Sequence, residues 1–359
     1  MKKGILFVPF MSGRGGTETV IHNLFSSMSN HSQYKLKVYS IGGSDITEWE
    51  KGVDIKTTWI SKYRFIRNLY YLSVLPAQML IILKREKPDF IISTNPVMWS
   101  LAQYIKKVIH LNAPVIAWYH YSTIQHPIKK LFLHSCDYYL AISTGIKEEL
   151  KKSGITSSRI FNVLNPIISD KRIIPQSTQP KHFIFLGRLM LDGQKNMREL
   201  IDALSQVHGN FILDIYGDSS QRNEVKQYIQ STGLADKTLF HGFIADPWSK
   251  IKEATAIILT SNFEGLPTVL CEAISHGVFC VSANMPTGPD DIITNDNGII
   301  YQLHDQKSLT SILQRIVDGH IQLPSPITIQ NTFRKFEPDE YYQRFSKAIN
   351  AILLRSTNS

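Results

Sequence analysis

The 359-residue chain is predicted to be an α/β protein built from two doubly wound, Rossmann-like domains. Its length exceeds the usual limit for a single hydrophobic core, so two domains are expected. In both halves, short β-branched runs alternate with helical patterns, as is typical of parallel-sheet units. Between the halves, residues 162–182 are rich in Pro, Ser, Asn and charged side chains and lack clear periodicity, which indicates a linker.

This linker sets the expected domain boundaries. We predict an N-terminal domain over residues 1–164, a linker over 165–181 and a C-terminal domain over 182–335. An amphipathic helix and tail, residues 336–359, close the chain and are expected to pack back toward the N-terminal domain. Ligands of such sheets bind outside the carboxyl ends of the strands, so both sheets are expected to face a central cleft.

Five strands are predicted in each half. Those of the first half are GILFVPF, KLKVYSI, DFIIST, PVIAWYH and DYYLAIS. Those of the second half are HFIFLG, FILDIYG, TLFHGF, AIILTS and VFCVSA. Helical patterns lie between them, for example TETVIHNLFSSM and MRELIDALSQV.

The positive charge of the chain is concentrated in its first half. Residues 1–170 contain 21 Lys and Arg against 11 Asp and Glu, whereas the remaining residues contain 18 against 19. Such asymmetry predicts an anionic partner for the first half, namely a lipid headgroup layer, a phosphorylated glycan or a nucleic acid. No base-stacking motif accompanies the charge, so nucleic-acid binding is not expected.

The cysteine pattern and the hydropathy pattern predict a cytoplasmic protein. Cys136, Cys271 and Cys280 form no C-x-x-C pair, which argues against a disulfide framework or a zinc site. The apolar run after Lys2 and Lys3 is short and is interrupted by a proline, so it is interpreted as a first strand and not as a signal peptide. No apolar stretch is long enough to predict a transmembrane helix.

A glycine-rich turn, SGRGGTETV, follows the first predicted strand. Gly13, Gly15 and Gly16 allow the backbone to approach a ligand closely, and a helix starting near Thr17 offers free N–H groups. The pattern matches neither the dinucleotide fingerprint nor a Walker loop. The alternative is an ordinary tight turn between strand and helix.

Two cations, Arg188 and Lys195, lie in the segment FLGRLMLDGQKNMRELI. Arg188 follows a predicted strand and Lys195 precedes a predicted helix. A strand end and a helix start are suitable positions for binding a diphosphate, the arginine in a bidentate manner and the lysine as a point charge. The alternative is a pair of solvated surface cations.

Two glutamates occur eight positions apart in NFEGLPTVLCEAISHG. On one continuous helix Glu264 and Glu272 would be about 12 Å apart, more than the roughly 5–9.5 Å between the paired carboxyl groups of glycoside hydrolases. Proline is favoured at the first helical position, so Pro267 predicts a helix start between them. The two acids are therefore expected to bind hydroxyl groups on either side of an anion at that helix start.

These motifs, in this order and spacing, resemble those of the retaining GT-B glycosyltransferases of family 4. The resemblance is carried by GRGGTE, GRL with QKN, HGF and FEGLPTVLCEA, whose glutamates match the E-x7-E motif, and it covers essentially the whole chain. CDYYLAISTGIKEEL, NPI, GQKN and VSANMPTGPDDII are further similar to members that transfer galactose from UDP-galactose to the bacterial lipopolysaccharide core. The resemblance implies a GT-B fold, a UDP-hexose donor and a lipopolysaccharide-core or other lipid-linked glycan acceptor.

The resemblance also implies roles for individual residues on the donor side. Arg188 and Lys195 match the cations that neutralise the diphosphate, Glu264 the acid beside the sugar hydroxyls, and Glu272 the acid that binds the ribose. The resemblance further implies that the backbone of Gly265 and Leu266 approaches the sugar and the phosphate. It implies that Gly242 and Phe243, in HGF, lie in the loop whose backbone contacts the base.

On the acceptor side the resemblance places Gly15 and Gly16 beside the diphosphate and the acceptor, and His120 near the reacting sugar. The alternative for His120 is a histidine that caps a strand end. Thr17 and Glu18 are candidate acceptor-binding residues; an exposed glutamate at a helix start is the alternative for Glu18.

Transfer is expected to need no metal and no cofactor. The sequence has no D-x-D pair of the metal-binding kind, and Asp290 and Asp291 are adjacent and are interpreted as a helix-start cluster. The resemblance implies retention by front-side attack, with the phosphate accepting the proton of the acceptor.

A segment of mixed aromatic, aliphatic and basic residues, 62–87, is a candidate for contact with an anionic bilayer or a phosphorylated lipid-linked glycan. Lys106, Lys107, Lys129 and Lys130 add positive charge. We expect a protein attached peripherally to the cytoplasmic face of the inner membrane. The alternative is an ordinary buried helix with snorkelling ends.

Two other functions remain compatible with the sequence. A sugar-nucleotide 2-epimerase shares the two-domain fold, and a non-catalytic relative would bind glycan or membrane only. The joint presence of Arg188, Lys195 and both glutamates argues against a degenerate site.

Overall fold

The computed structural model describes residues 1–13 and 15–357, and it divides the chain into two compact units. Unit 1 comprises Met1–Ile168 together with the chain from Phe336 onward, and unit 2 comprises Ser169–Lys335. The first division falls within residues 162–182, the segment without clear periodicity. Arg14 of the glycine-rich turn lies outside the described residues.

In the described part of unit 1, seven strands form one parallel sheet. Its strands are β1 (Lys2–Val8), β2 (Tyr34–Gly42), β3 (Ile55–Trp59), β4 (Phe90–Ser93), β5 (Val115–Ala117), β6 (Tyr138–Ala141) and β7 (Ile160–Asn162). Their order is β3-β2-β1-β4-β5-β6-β7, so the chain winds in both directions from β1. The apolar runs of the central strands are fully buried, as expected where both faces of a parallel sheet are covered.

The helices of unit 1 connect these strands. They are α1 (Gly16–Met28), α2 (Arg64–Ser73), α3 (Leu75–Glu86), α4 (Pro96–Val108), α5 (Lys130–Leu133) and α6 (Thr144–Lys152). The start of α4 is set by Asn95, whose side chain accepts hydrogen bonds from the backbone N–H groups of Val97 and Met98. Ser143 caps α6 in the same way.

Unit 2 contains a second parallel sheet, six-stranded over the described residues. Its strands are β8 (Lys181–Leu186), β9 (Phe211–Tyr216), β10 (Thr238–Gly242), β11 (Ala256–Leu259), β12 (Phe279–Ala283) and β13 (Gly298–Tyr301), in the order β10-β9-β8-β11-β12-β13. Its helices are α7 (Met197–Ser205), α8 (Arg222–Ser231), α9 (Thr268–Ser275), α10 (Pro289–Ile292), α11 (Gln306–Val317) and α12 (Pro326–Asn331). The prediction of two doubly wound α/β units is confirmed.

The last helix, α13 (Pro338–Thr357), returns to unit 1, as the sequence predicts. Its apolar stripe is buried, with Phe345 and Ile349 fully enclosed, and it packs against α1. Asn350 accepts a hydrogen bond of 2.7 Å from the hydroxyl of Tyr34. The burial of this stripe explains why a helix distant in sequence belongs to the first unit.

Each predicted strand overlaps an observed one, and β3, β7 and β13 are additional. They are short, and β3 exposes most of its side chains, so they lack the apolar run that identifies a buried strand. β5 ends at Ala117, earlier than predicted, and Trp118, Tyr119 and His120 have no regular secondary structure. His120 therefore lies beyond the strand end.

The segment 62–87 forms two helices and not one. In the described chain, α2 has no buried residue, whereas α3 buries four side chains, so the buried-helix alternative is wrong for α2 and correct for α3. No single described helix is long and apolar enough to cross a membrane. The pair α2 and α3, bent by 58°, meets the criterion of length and composition together.

Candidate functional site

The candidate donor-side residues of unit 2 follow two adjacent strands. β8 and β11 pair in parallel, so the loops that follow them begin at the same edge of the sheet. The loop after β8 carries Arg188 and Lys195, and the loop after β11 carries Glu264. The topology therefore brings together Lys195 and Glu264, which are 69 positions apart in the sequence and form a hydrogen bond.

These side chains form one connected group, which we call the mixed-charge cluster: Arg188, Gln194, Lys195 and Glu264. The ammonium of Lys195 lies 2.7 Å from Oε1 of Glu264, and both side chains are largely buried. The side-chain amide of Gln194 donates to Oε2 of Glu264 at 3.2 Å, and its oxygen Oε1 accepts a hydrogen bond from Arg188 at 2.9 Å. The cluster thus joins two cations and a carboxylate, and Arg188 remains exposed to solvent.

The backbone of the cluster is fixed by bonds between the two loops. Thr260 donates to the carbonyl oxygen of Lys195 at 3.1 Å, and the N–H of Asn262 donates to the carbonyl of Gln194 at 2.8 Å. Asn196 adopts a left-handed conformation with φ of 46° and donates to Glu199 at 2.6 Å. Arg188 and Lys195 are therefore held in place by specific contacts, unlike isolated surface cations.

Two glycines allow the chain to pass close to itself beside the cluster. Gly187 and Gly217 have φ of 153° and 143°, and a Cβ atom on Gly217 would collide with the carbonyl oxygen of Gly187. The N–H of Gly217 donates to the carbonyl of Gly242 at 2.8 Å. The ends of β8, β9 and β10 are thereby joined, and Gly242 with φ of 74° makes the turn that exposes Phe243.

Helix α9 begins directly after the loop that carries Glu264. The sequence predicts Pro267 as the first helical residue. In the structure Pro267 is the N-cap of α9, one position earlier in the helix, and no side chain caps the helix. The backbone carbonyl of Glu264 accepts a hydrogen bond from the hydroxyl of Thr287. Gly265 and Leu266 therefore lie between this bond and the start of α9. The first N–H groups of α9 are therefore available to an anion.

Glu272 lies on α9 and has a different environment from Glu264. Its Oε2 accepts a hydrogen bond of 2.9 Å from the indole N–H of Trp248. Burial raises the pKa of Glu272 to about 7, and the charge of Asp246 acts in the same direction, while the Trp248 bond lowers it. Among the described residues the two glutamates share no hydrogen-bond partner, so their carboxyl groups have separate environments.

In unit 1 the glycine-rich turn is held by Glu18. Its Oε1 accepts hydrogen bonds from the N–H of Gly13 at 2.8 Å and from Ser12 at 3.1 Å, and the residue is 4% exposed. The alternative of an exposed glutamate at the helix start is wrong. A Cβ atom on Gly15 would meet Oε2 of Glu18 at 2.5 Å, whereas one on Gly16 would meet nothing within 4 Å.

The turn thus needs glycine at position 13, where φ is 79°, a Cβ atom at position 15 would displace the carboxyl group of Glu18, and one at position 16 would meet no atom. Open space beside Gly16 is compatible with the approach of a ligand to the helix start. α1 begins at Gly16, close to the predicted start, and Thr17 is partly exposed in its first turn.

His120 is buried, at 8% exposure, in the turn after β5. Burial lowers its pKa to about 3, so the imidazole is neutral at physiological pH. Its Nε2 has no hydrogen-bond partner among the described residues, and its ring packs edge-on against Trp118 at 4.5 Å. A histidine that caps a strand would lie at the strand end, whereas β5 ends three residues earlier.

Two side chains at these sites were not identified from the sequence: Gln194 and Trp248. Gln194 is adjacent to Lys195 in the motif GQKN, so its position is a signal that could have been used. Trp248 contacts Glu272 across 24 positions, and no local pattern indicates it. Among the described residues, no group of three or more His, Cys, Asp or Glu side chains is arranged to hold a metal ion.

Comparisons with known proteins match nearly the whole chain. A model of the family described as glycosyl transferases group 1 matches residues 167–326, and one of glycosyltransferase family 4 matches residues 14–171. The lipopolysaccharide 1,6-galactosyltransferase of Escherichia coli K12 is 30% identical over 96% of this chain and 97% of its own length. The enzyme of the same name from Salmonella typhimurium is 30% identical over 94% and 96%.

Solved structures agree with this assignment. The apo form of the lipopolysaccharide outer core galactosyltransferase WaaB superposes with a TM-score of 0.84 at 29% identity, over 97% of this chain and 99% of that one. Anabaena HepE in complex with UDP superposes with a TM-score of 0.79 over 98% of this chain and 100% of that one. At 16% identity this likeness supports the fold alone. Fold and matches together define an enzyme of the two-domain GT-B class. The chain belongs to the group 1 glycosyltransferases, family 4.

Proposed function

We propose that the chain is a retaining hexosyltransferase that moves galactose from UDP-galactose to a lipopolysaccharide-core or other lipid-linked glycan. The observation that carries the proposal is the mixed-charge cluster beside the uncapped N-terminus of α9. Relatives that are 30% identical over nearly their whole length are named as lipopolysaccharide 1,6-galactosyltransferases, which supports the choice of sugar and acceptor.

The diphosphate of the donor binds to Arg188, Lys195 and the first N–H groups of α9. An ammonium group has three donors, so Lys195 can keep its bond to Glu264 and still donate to a phosphate oxygen. Arg188 is exposed and offers a planar pair of N–H groups. Together these groups stabilise the negative charge that develops on UDP as the bond to the sugar breaks.

The two glutamates bind the two ends of the donor. Glu264, whose oxygens are held by Lys195 and Gln194, retains lone pairs for hydroxyl groups of the hexose. Glu272, held by Trp248, accepts hydrogen bonds from the ribose. Gly265 and Leu266 contribute backbone between them, and Gly242 and Phe243 of the HGF turn contact the base.

In the transfer step the bond between the anomeric carbon and the diphosphate oxygen breaks, and its electron pair leaves with UDP. The acceptor hydroxyl attacks the same face of the sugar, and its proton passes to the departing phosphate oxygen. We assign His120 to the reacting sugar on the family resemblance; its imidazole is neutral because it is buried, and its Nε2 has no hydrogen-bond partner among the described residues. Gly15, Gly16, Thr17 and Glu18 border the acceptor, with Glu18 acting chiefly by holding the turn.

The proposal is tested with a panel of UDP- and GDP-sugars, scored for binding and for slow hydrolysis. UDP-galactose should stand out. The variant Glu264→Ala should abolish transfer and retain UDP affinity, whereas Glu272→Ala should weaken UDP binding itself. The reverse pattern for the two variants would refute the assigned roles.

Two further features of the proposal have direct tests. Activity should survive exhaustive chelation, because the cluster and α9 supply the positive charge that a metal would provide; recovery of lost activity only on adding a divalent cation would contradict this. The anomeric proton coupling of the product should correspond to an α-linked galactose.

An epimerase of the same fold is the second candidate. Product analysis with a UDP-sugar alone distinguishes it, because an epimerase converts the sugar without an acceptor. A non-catalytic binding protein would give neither product.

We also infer that unit 1 associates with the anionic cytoplasmic face of the inner membrane through α2. Phe65 and Leu72 are 79% and 82% exposed, and Lys62, Arg64 and Arg67 lie within or beside the same helix. Unit 1 carries 24 Lys and Arg against 13 Asp and Glu, whereas unit 2 carries 15 against 17. Exposed aromatic and aliphatic side chains flanked by cations are typical of interfacial helices.

A further inference from the structure

The turn after β5 alternates between deeply buried and exposed residues. Trp118, His120 and Ser122 are buried, whereas Tyr121 is 49% exposed. The exposed part continues to Lys130 with Ile124 and a run of polar and basic residues. We call residues 119–130 the tyrosine loop.

A buried carboxylate fixes this loop from behind. Glu149 on α6 accepts hydrogen bonds from Ser122 Oγ at 2.7 Å, from the N–H of Thr123 at 2.6 Å and from its hydroxyl at 2.9 Å. The residue is 5% exposed, and these three partners are neutral donors. A buried carboxyl group is costly unless its hydrogen bonds are satisfied, and these three bonds tie Ser122 and Thr123 to α6.

The rings of the loop form a contiguous group. Tyr121 lies 5.5 Å from Tyr119 and 5.1 Å from His126, both in edge-to-face geometry. The hydroxyl of Tyr119 donates to the carbonyl of His126 at 3.3 Å. The hydrogen bonds and ring contacts hold Tyr121 in place while half of its surface remains open to solvent, an arrangement that serves binding better than it serves the core.

The charge of the region is of one sign. Lys129 and Lys130 are exposed in the loop, and the sequence contains no Asp or Glu between Asp89 and Asp137. The loop also follows the carboxyl end of a strand in a doubly wound sheet, the edge at which such sheets bind ligands. A ligand with apolar ring faces and negative charges would match both features.

We propose that the tyrosine loop is an acceptor subsite for a phosphorylated oligosaccharide. Tyr121 packs against the C–H face of one sugar ring, and Lys129 and Lys130 bind phosphate groups on the same glycan. Glu149 is a positioning residue that acts through Ser122 and Thr123. This subsite rests on the glycosyltransferase function proposed above and names the residues that select its acceptor.

The test uses the full chain, UDP-galactose and a deacylated, phosphorylated lipopolysaccharide core oligosaccharide that lacks the transferred galactose. Tyr121→Ala should raise the acceptor KM roughly tenfold, the value expected when one aromatic contact worth about 1.5 kcal/mol is lost. Tyr121→Phe should behave as the wild type, because the ring and not the hydroxyl makes the contact. Tyr104→Ala, which removes another exposed tyrosine on α4, is the matched control.

Donor hydrolysis without acceptor separates this proposal from the preceding one. If the wild-type protein does not hydrolyse UDP-galactose, the proposed function is refuted. If Tyr121→Ala hydrolyses the donor normally and its acceptor KM is unchanged, the subsite is refuted. Wild-type protein that hydrolyses the donor but neither binds nor glycosylates this oligosaccharide would also overturn it.

The phosphate part has its own readout. Lys129→Gln with Lys130→Gln should weaken binding of the phosphorylated oligosaccharide and leave binding of the dephosphorylated one unchanged. An equal effect on both would overturn the assignment of these lysines.

Discussion

At the scale of single residues, Glu272 is the group whose environment differs most from what its sequence position suggests. Its acidity is weakened by burial, and one of its oxygens is held by Trp248. A carboxylate accepts hydrogen bonds from both ribose hydroxyls, whereas its protonated form has lost an acceptor. Donor affinity should therefore depend on the protonation state of this one side chain.

The first prediction follows from that dependence. Because the pKa of Glu272 is raised to about 7, affinity for a UDP-sugar should increase as pH rises through neutrality. Between pH 6 and pH 8 the increase should be roughly tenfold, the change in the ionised fraction of such a group. Calorimetric titration of a UDP-sugar, whose diphosphate diester does not titrate in this range, measures it.

Glu272→Gln provides the control. The amide cannot ionise, so its weaker affinity should be constant over the same pH range. A pH slope that persists in this variant would assign the titration to another group.

The proximity of candidate residues was predictable from the sequence to the extent that they lie within local motifs. Arg188, Lys195 and Glu264 were identified by their positions at strand ends and a helix start, and the structure connects them. Gln194 was missed although it adjoins Lys195, because a glutamine carries no charge and its function is to bridge two partners. Glu149 and Trp248 act through contacts between distant segments, for which one sequence contains no local signal.

At the scale of elements, α2 is unusual because it packs none of its side chains fully into the described structure. A ten-residue helix is marginal in water without tertiary packing. The exposed aromatic and aliphatic side chains of α2 are the ones that we propose to contact an anionic bilayer.

The prediction at this scale concerns vesicle binding. The protein should bind vesicles containing phosphatidylglycerol, and added salt should weaken the binding. Phe65→Ser with Leu72→Ser should reduce it strongly, whereas Ile327→Ser, which changes a 64% exposed side chain on α12 of unit 2, should have no effect. Equal binding to neutral vesicles, or no response to the α2 variant, would contradict this role of α2.

Strand and helix types were predicted well because buried parallel strands and amphipathic helices have distinct periods. Boundaries were less accurate where packing decides them. The run PVIAWYH has the composition of a strand throughout, yet β5 ends at Ala117 and the last three residues of the run have no regular secondary structure. Similarly, the 62–87 segment reads as one helix by composition, and the structure breaks it between Ser73 and Leu75.

At the scale of the whole molecule, charge and chemistry are divided between the units. Unit 1 holds the positive excess and unit 2 holds the mixed-charge cluster. The count over the first 170 residues already indicated this division, because net charge is additive along a chain. The return of α13 to unit 1 was also predictable from its amphipathic pattern, but the contacts that it makes with α1 were not.

The last prediction tests this division with hydrogen exchange. Binding of UDP should give its largest protection in unit 2, over residues 187–196 and 241–272, because the diphosphate, ribose and base contacts belong to those segments. Arg188→Ala should reduce the protection near the diphosphate groups more than that near the base. Protection concentrated elsewhere in the chain would contradict the proposed donor site.

The way the chain passes between the two units has a consequence for engineering. It leaves unit 1 after Ile168 and re-enters it at Phe336, and the two crossings are neighbours, since the N–H of Ile167 donates to the carbonyl of Phe336 at 3.0 Å. Unit 2 is therefore one uninterrupted cassette with adjacent entry and exit points. If unit 2 selects the donor and unit 1 the acceptor, as proposed, a chimera with residues 169–335 from a relative that uses another donor should transfer that relative's sugar to the acceptor of this chain.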